Sequence, residues 1–151
     1  MKHVLENYTI DYIGGDIVKP LVETLNVKYG NAKTHFVYFD ITRDAFPEVD
    51  LWICRDCLFH LSFNDIHQAL KNFVDSNIPY LFASTHITPK GFTNFDIETG
   101  DFRLIDLFSA PYCFPKDVHF RVADWISPHP EREMCLWSKE QVIFAMKTFR
   151  L

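Results

Sequence analysis

Apolar and polar positions along this chain fall into short runs, and the period of the runs switches between that of a strand and that of a helix. Extended runs cover 9–16, 34–41, 51–54 and 80–85. Over 18–29, Leu21, Val22, Leu25 and Tyr29 recur at helical spacing. Pro20 suits that helix's first turn, where no backbone donor is required, and Gly30 is its stop. A second helix is predicted over 63–76, opened by Ser62 and Asp65 at capping-box spacing, striped by Ile66, Leu70, Phe73 and Val74, and ended by Asn77. The link 42–50 is shorter than a crossover helix needs, so it reads as an extended loop or a single turn.

The grammar changes after Thr85. Residues 86–116 carry Gly, Pro, Asn, Asp and scattered aromatics with no clean period. A loop of that length inside a compact domain usually serves as a lid or a substrate wall. Its aromatics Phe92, Phe95, Phe102, Phe108, Tyr112 and Phe114 either line a pocket or fold the segment onto an exposed sheet face, and the second reading is preferred. A strand over 118–126, a turn at Pro128-His-Pro130, a return strand over 132–137 and a helix over 138–149 complete the chain. The pattern is that of an α/β domain over 1–151, with a mostly parallel sheet and a C-terminal antiparallel pair.

Two of the strands end in a carboxylate, Asp16 and Asp40, and a third opens into Arg55-Asp56. At the C-terminal ends of strands in an open α/β sheet, carboxylates face the ligand crevice and can accept from the hydroxyl and amino groups of a nucleoside. Eleven residues precede Tyr12 and none is Gly, so no phosphate- or carboxylate-cradling turn stands ahead of Asp16.

Composition narrows the classes. The chain has 151 residues, enough for one domain with a sizeable core. Fifteen Phe and 48% hydrophobic residues demand buried apolar surface. A net charge of −5 argues against a nucleic-acid surface, which needs clustered Lys and Arg. No run is long enough to span a membrane, and 1–7 carry neither an apolar leader nor a cleavage signal, so a cytoplasmic location is expected. Cys54 and Cys57 form a lone CxxC; without a second ligand pair they read as a strand-end thiol and a small packed residue, and no metal is expected.

Four segments in this order resemble the class I S-adenosylmethionine-dependent methyltransferases: Tyr12-Ile-Gly-Gly-Asp-Ile17, Phe39-Asp-Ile41, Cys54-Arg-Asp-Cys-Leu-Phe-His-Leu61 and the closing pair ending at Leu136-Trp137. The block Asn94-Phe-Asp-Ile-Glu-Thr-Gly-Asp-Phe-Arg103, with Phe114-Pro115, is similar to a small-molecule or glycan-type subgroup. The resemblance implies a Rossmann-like fold and S-adenosylmethionine as cofactor. It gives Asp16 to the ribose hydroxyls, Asp40 to the adenine amino group, Ile41 to the adenine face, and Cys54 with Arg55 to the methionyl amine. Asp56 and His60 would face methyl transfer, one of them as a base.

The family's first strand, its Gly-rich turn and the helix after it have no counterpart in this sequence. Three outcomes are open: the Asp16 strand pairs with the Leu51 strand, another chain fills the gap, or the sheet halves separate. The gap leaves one sheet face undercovered and points to a homo-oligomer. Impaired cofactor binding follows, because only the nucleoside end of the pocket is visible. The alternative is a non-catalytic oligomerising or partner-binding scaffold on a degraded methyltransferase fold; a third reading is a different nucleotide-binding α/β enzyme. For single residues, the structural readings are a polar residue near a helix N-terminus for His60 and satisfaction of loop donors for Asp56.

Overall fold

A computed structural model describes residues 7–149 of the chain. The segment 1–6, where most of the leader reading falls, lies outside the described residues. The chain groups into two compact units, 1–44 and 45–151, and each is described by itself.

The first unit is a β-α-β turn. Strand β1 (Tyr12–Asp16) leads to helix α1 (Lys19–Tyr29) and to strand β2 (Thr34–Tyr38), which lies parallel to β1. Both strands are shorter than their apolar runs, so Asp40 and Ile41 stand in the turn after β2 rather than in the strand. The Gly14-Gly15 pair keeps β1 flat against aromatic rings: a Cβ on Gly14 would sit 2.5 Å from the Phe36 ring. At Gly30, a Cβ would sit 2.4 Å from the Asn26 carbonyl, so the helix stop requires glycine for close approach, and its backbone is extended rather than left-handed. The Asn26 side chain donates to the Phe36 carbonyl at 2.6 Å and accepts from the Phe36 N–H at 2.8 Å. It thereby supplies β2 with hydrogen bonds that a further strand would otherwise make. Of the predicted helical stripe only Val22 is buried; Leu21 and Tyr29 are exposed.

The second unit is a four-stranded sheet in the order β3-β4-β6-β5, from β3 (Leu51–Cys54), β4 (Tyr80–His86), β5 (Phe120–Ala123) and β6 (Arg132–Ser138). The β3-β4 pair is parallel and β6 runs antiparallel to both neighbours. The β1-β2 pair forms a sheet of its own, so the Asp16 strand does not pair with the Leu51 strand. A single 3-10 turn (Leu58–His60) follows β3; helix α2 (Phe63–Asp75) comes next, and helix α3 (Lys139–Thr148) closes the chain.

Helix α2 starts as its sequence predicts, with a refinement. The Ser62 hydroxyl accepts from the Asp65 N–H at 3.1 Å, but the reciprocal half of the box runs through Thr99. The Ser62 N–H donates to the Thr99 hydroxyl at 2.9 Å, and that hydroxyl donates to the Asp65 carboxylate. The buried stripe is Ile66, Ala69, Leu70 and Phe73. At α3, Ser138 and Gln141 close a complete capping box.

The segment 87–117 packs part of its side chains into the core of its unit. Ile105, Leu107, Tyr112 and Phe114 are buried, and the Phe114 and Phe108 rings pack on Trp137 at 4.9 and 5.7 Å. Irregular backbone is tolerated there because its polar groups are satisfied. His86 N–H donates to the Ile105 carbonyl at 2.8 Å, Leu107 N–H to the Thr85 hydroxyl at 2.9 Å, and the buried Asn94 amide to the Asp106 and Ala110 carbonyls at 2.9 and 2.8 Å. The segment thus packs on the Trp137 face of the sheet, and at the end of β4 Phe102 and Ile105 also reach the His86 ring on the other face.

Candidate functional site

The nucleoside-type cluster belongs to the first unit. Asp16 ends β1, and the register pairs it with Tyr38, so Asp40 stands two residues beyond its partner position at the same end of the two strands. The chain turns there by hydrogen bonds: Phe39 N–H donates to the Asp16 carbonyl at 3.0 Å. Asp16 Oδ1 accepts from the Val18 N–H at 2.8 Å, one residue ahead of α1, which fixes the carboxylate at the strand-to-helix bend. Its Oδ2 has no hydrogen bond among the described residues. Asp40 Oδ1 accepts from the Thr42 N–H at 2.9 Å and from the Thr42 hydroxyl at 2.7 Å. The Thr42 hydroxyl is the main reason that the Asp40 carboxyl lies below the usual carboxylate range. Asp40 Oδ2 lies 3.7 Å from the Nε of a largely exposed Arg43, an interaction that solvent screens. The backbone N–H of Asp40 donates to Asp44 at 2.8 Å. Two carboxylates therefore stand at adjacent strand ends, and Ile41 follows the second directly.

The second cluster lies where β3 ends. Cys54 is buried on the inner face; its thiol is pushed well up, first by the hydrogen bond with Cys57 and then by burial, so it is no thiolate nucleophile. Among the described residues no group of His, Cys, Asp and Glu could hold a metal ion. Arg55 forks onto Asp124, with Nε 2.8 Å from Oδ2 and Nη2 3.0 Å from Oδ1. Asp56 sits at φ +55°, a left-handed conformation that Asp tolerates better than most residues, and its N–H donates to the Ser84 hydroxyl at 3.1 Å. Its carboxylate is held by Arg132, whose Nε is 3.1 Å from Oδ1 and whose Nη2 is 3.3 Å from Oδ2. Arg132 Nε also lies 3.6 Å from Asp124. Two arginines and two aspartates thus form a closed network across the ends of β3, β5 and β6.

His60 differs from Asp56. Its Nδ1 lies 2.8 Å from the Asp101 carbonyl, which can only accept, so Nδ1 carries the proton and the neutral ring's Nε2 keeps its lone pair. The ring is tilted against Phe59 and Phe102, with centroids 4.7 and 5.8 Å away, and the His60 carbonyl accepts from the Gly100 N–H at 2.8 Å. A fixed tautomer with one outward lone pair is the arrangement a general base requires.

Sequence reasoning named Asp16, Asp40, Ile41, Cys54, Arg55, Asp56 and His60. It did not find Asp124 and Arg132, which lie 69 and 76 residues from their partners and carry no local signal. Nor did it find His86, whose buried Nδ1 accepts from the Ile105 N–H at 3.1 Å and whose pKa burial pulls down. Arg103 was quoted only within a block. It is fully buried, donates from Nη2 to the Tyr112 hydroxyl at 3.1 Å and lies over the Phe63 ring at 5.2 Å, while its Nε and Nη1 have no acceptor. Burial pushes the Tyr112 hydroxyl up to about 12.

The glycines decide whether the amino-acid end of a cofactor has a cradle. Of the five, Gly14 and Gly15 lie inside β1, Gly30 stops α1, and Gly91 and Gly100 make turns in 87–117. None stands at a strand-to-helix bend, whereas Asp16 and Asp40 do stand at strand ends.

No family model matches the sequence, and no curated protein matches it. Solved structures do match its fold. Magnesium protoporphyrin IX methyltransferase from Synechocystis PCC 6803, with bound SAH, superposes with a TM-score of 0.59 at 12% identity, over 83% of this chain and 63% of that one. A SAM-dependent methyltransferase from Leishmania major superposes at 0.61 and 15% identity, over 83% and 54%. A structure described as a pericyclic reaction enzyme superposes at 0.62 and 8% identity, over 91% and 38%. The chain spans less than two thirds of the length of these proteins. It has the Rossmann-like fold of the class I methyltransferases, and that fold also carries a chemistry other than methyl transfer.

Proposed function

We propose that this chain is an S-adenosylmethionine-dependent methyltransferase-like protein that grips the nucleoside end of the cofactor and holds the methionyl end poorly. The observation that carries this reading is the pair Asp16 and Asp40 at one end of β1 and β2, one with an unbonded oxygen and the other kept ionised by Thr42. When bound, the cofactor would supply an electrophilic methyl group. The chain's own part would be orientation: Asp16 accepting from ribose hydroxyls, Asp40 from the adenine amino group, and Ile41 packing on the base. Of the two candidate bases, His60 has the better chemistry, since its Nε2 is an acceptor and Asp56 is neutralised by Arg132. Cys54 and Arg55 contribute backbone rather than side chain to any ligand, because the thiol is buried and the guanidinium is committed to Asp124.

Calorimetric titration tests this. S-Adenosylhomocysteine and adenosine should bind with similar, weak affinity, in the millimolar range of about −4 kcal/mol. Asp40→Ala should abolish both signals. An affinity for S-adenosylhomocysteine a hundredfold above that for adenosine would mean that the methionyl end is held after all. The second reading, a non-catalytic scaffold, is favoured by the closed Arg55-Asp124-Arg132-Asp56 network, which leaves no free carboxylate at the β3 end. Silence with every nucleoside at millimolar concentration would select it, whereas a saturable nicotinamide dinucleotide signal would select a different nucleotide-binding enzyme.

A further inference from the structure

We propose that the exposed rows on the outer face of the four-stranded sheet, away from the buried Ser84, His86 and Met134, are a self-association surface that seats the same face of a second copy of this chain. The inference goes beyond the cofactor reading and does not depend on it. Alternation along the strands sorts the side chains into two faces. Trp52, Leu81 and Trp137 stand in one cross-strand row of the inner face and are buried. On the outer face the register aligns Ile53, Phe82, Leu136 and Phe120 in a row across all four strands, with Leu51 beside Tyr80 in the next row. Leu51, Ile53, Tyr80 and Phe120 are 38–54% exposed. Phe82 and Phe120 rings lie 6.1 Å apart on this face. None of these six residues is charged.

Width and area select the occupant. Four strands at about 4.8 Å spacing make a patch roughly 19 Å across. One helix, about 10 Å in diameter, would cover half of the row. A second sheet of the same width would cover all of it, at about 10 Å separation. The exposed aromatic and aliphatic surface comes to roughly 500 Å² per copy, from side chains of about 200 Å² each: Leu51, Ile53, Tyr80, Phe120 and Val122 near half exposed, Phe82 and Leu136 less so. Two copies then bury about 1,000 Å² in total, the lower bound for a specific interface. The dimer is accordingly weak, concentration-dependent and two-fold symmetric, since each face meets itself.

Sedimentation velocity on the full chain, from about 5 to 500 μM, reads the proposal. A reversible monomer–dimer equilibrium is expected, weakened at least tenfold by Ile53→Glu and by Phe120→Glu, with circular dichroism checking that each variant folds. Val27→Glu, on an exposed position of α1, should leave the equilibrium unchanged. For the unaltered chain, ammonium sulfate should strengthen the dimer and 0.5 M sodium chloride should not weaken it, as for an apolar interface. A monomer at 500 μM overturns the proposal and assigns the face to cover from within the chain or from another protein. A dimer abolished by Val27→Glu but untouched by the two sheet variants overturns it equally, as does a dimer that sodium chloride dissolves.

Discussion

The two units of this chain divide chemistry and core unequally. The four-stranded unit holds nearly all the buried side chains: Trp137, Leu81, Ile66, Leu70, Phe73 and Val142 are all at 0% exposure. The β1-α1-β2 unit has Val22 and Thr34 as its buried residues among those described, and it leaves Ile17, Val18, Val27 and Tyr38 exposed. Yet this thin unit carries Asp16 and Asp40, the two carboxylates proposed to take a nucleoside. The difference teaches that the proposed site lies where supporting packing is sparse. Two strands and one helix bury too little apolar surface for independent stability. Hydrogen bonds from Asn26, Asp16 and Thr42 define the local geometry there more than burial does.

The largest expected effect breaks this comparison if it fails. Trp137→Ala should destabilise the chain by about 3–5 kcal/mol in urea unfolding, because the ring is fully buried against Phe114 and Phe108 and its Nε1 donates to the Pro115 carbonyl at 2.9 Å. Val22→Ala should cost about 2 kcal/mol or less, from two methyl groups in a shallow site. Equal losses would mean that the first unit has a deeper core than its exposure indicates.

Legibility in the sequence divides along similar lines. The helix starts at Ser62 and Ser138, the strand 51–54 and the parallel-then-antiparallel order were all readable, because each rests on local signals: caps, period and turn residues. The fold resemblance was readable from segment order. What the sequence could not reveal rests on contacts between distant positions. Thr99 completing the α2 cap, Asp124 taking Arg55 and Arg132 taking Asp56 link residues 34, 69 and 76 apart. The segment 86–116 read as a loop because it has no period; its burial comes from tertiary hydrogen bonds at Thr85, His86 and Asn94 instead. The strand ends were overestimated at 9–11 and 39–41, where apolar residues continue past the last ladder partner.

The ion network sharpens the view of the second cluster. Asp124→Asn should destabilise by about 1–2 kcal/mol at low salt, mostly through Arg132, whose side chain is 15% exposed and would keep only Asp56. The effect stays modest because Arg55 and Asp56 reach solvent, where salt screens them. Chemical denaturation at 0.05 and 0.5 M sodium chloride would separate the two contributions: the Arg55 share vanishes with salt and the Arg132 share persists.

His86 makes the second unit sensitive to acid. Burial pulls its pKa below the ordinary 6.5, helped by the nearby Arg132 and opposed by Asp56; the Ile105 N–H donated to Nδ1 likewise favours the neutral ring. The folded ring therefore binds a proton less readily than the unfolded one. Its contribution to stability is present above about pH 6.5 and is lost as pH falls through that value, with a slope of at most about 1.4 kcal/mol per pH unit. His86→Asn keeps an acceptor near the Nδ1 position and removes the titration. Urea midpoints measured from pH 7.5 to 5 should fall for the unaltered chain and stay flatter for the variant. Parallel slopes would assign the acid sensitivity elsewhere.

The smallest effect returns to the thin unit. Asn26 pairs both backbone groups of Phe36 from the side of β2 away from β1, standing in for a neighbouring strand. Asn26→Ala frees one donor and one acceptor that are only part-buried, so water replaces the lost bonds and the cost is about 1 kcal/mol. Global unfolding will barely register it. Hydrogen exchange at the Phe36 amide will, because that proton loses its only acceptor among the described residues. Protection at Phe36 should drop about fivefold while amides of β4 are unchanged. If β4 amides lose protection to the same degree, the two units unfold as one, and the contrast between a deep core and a thin site is a difference of packing without a difference of stability.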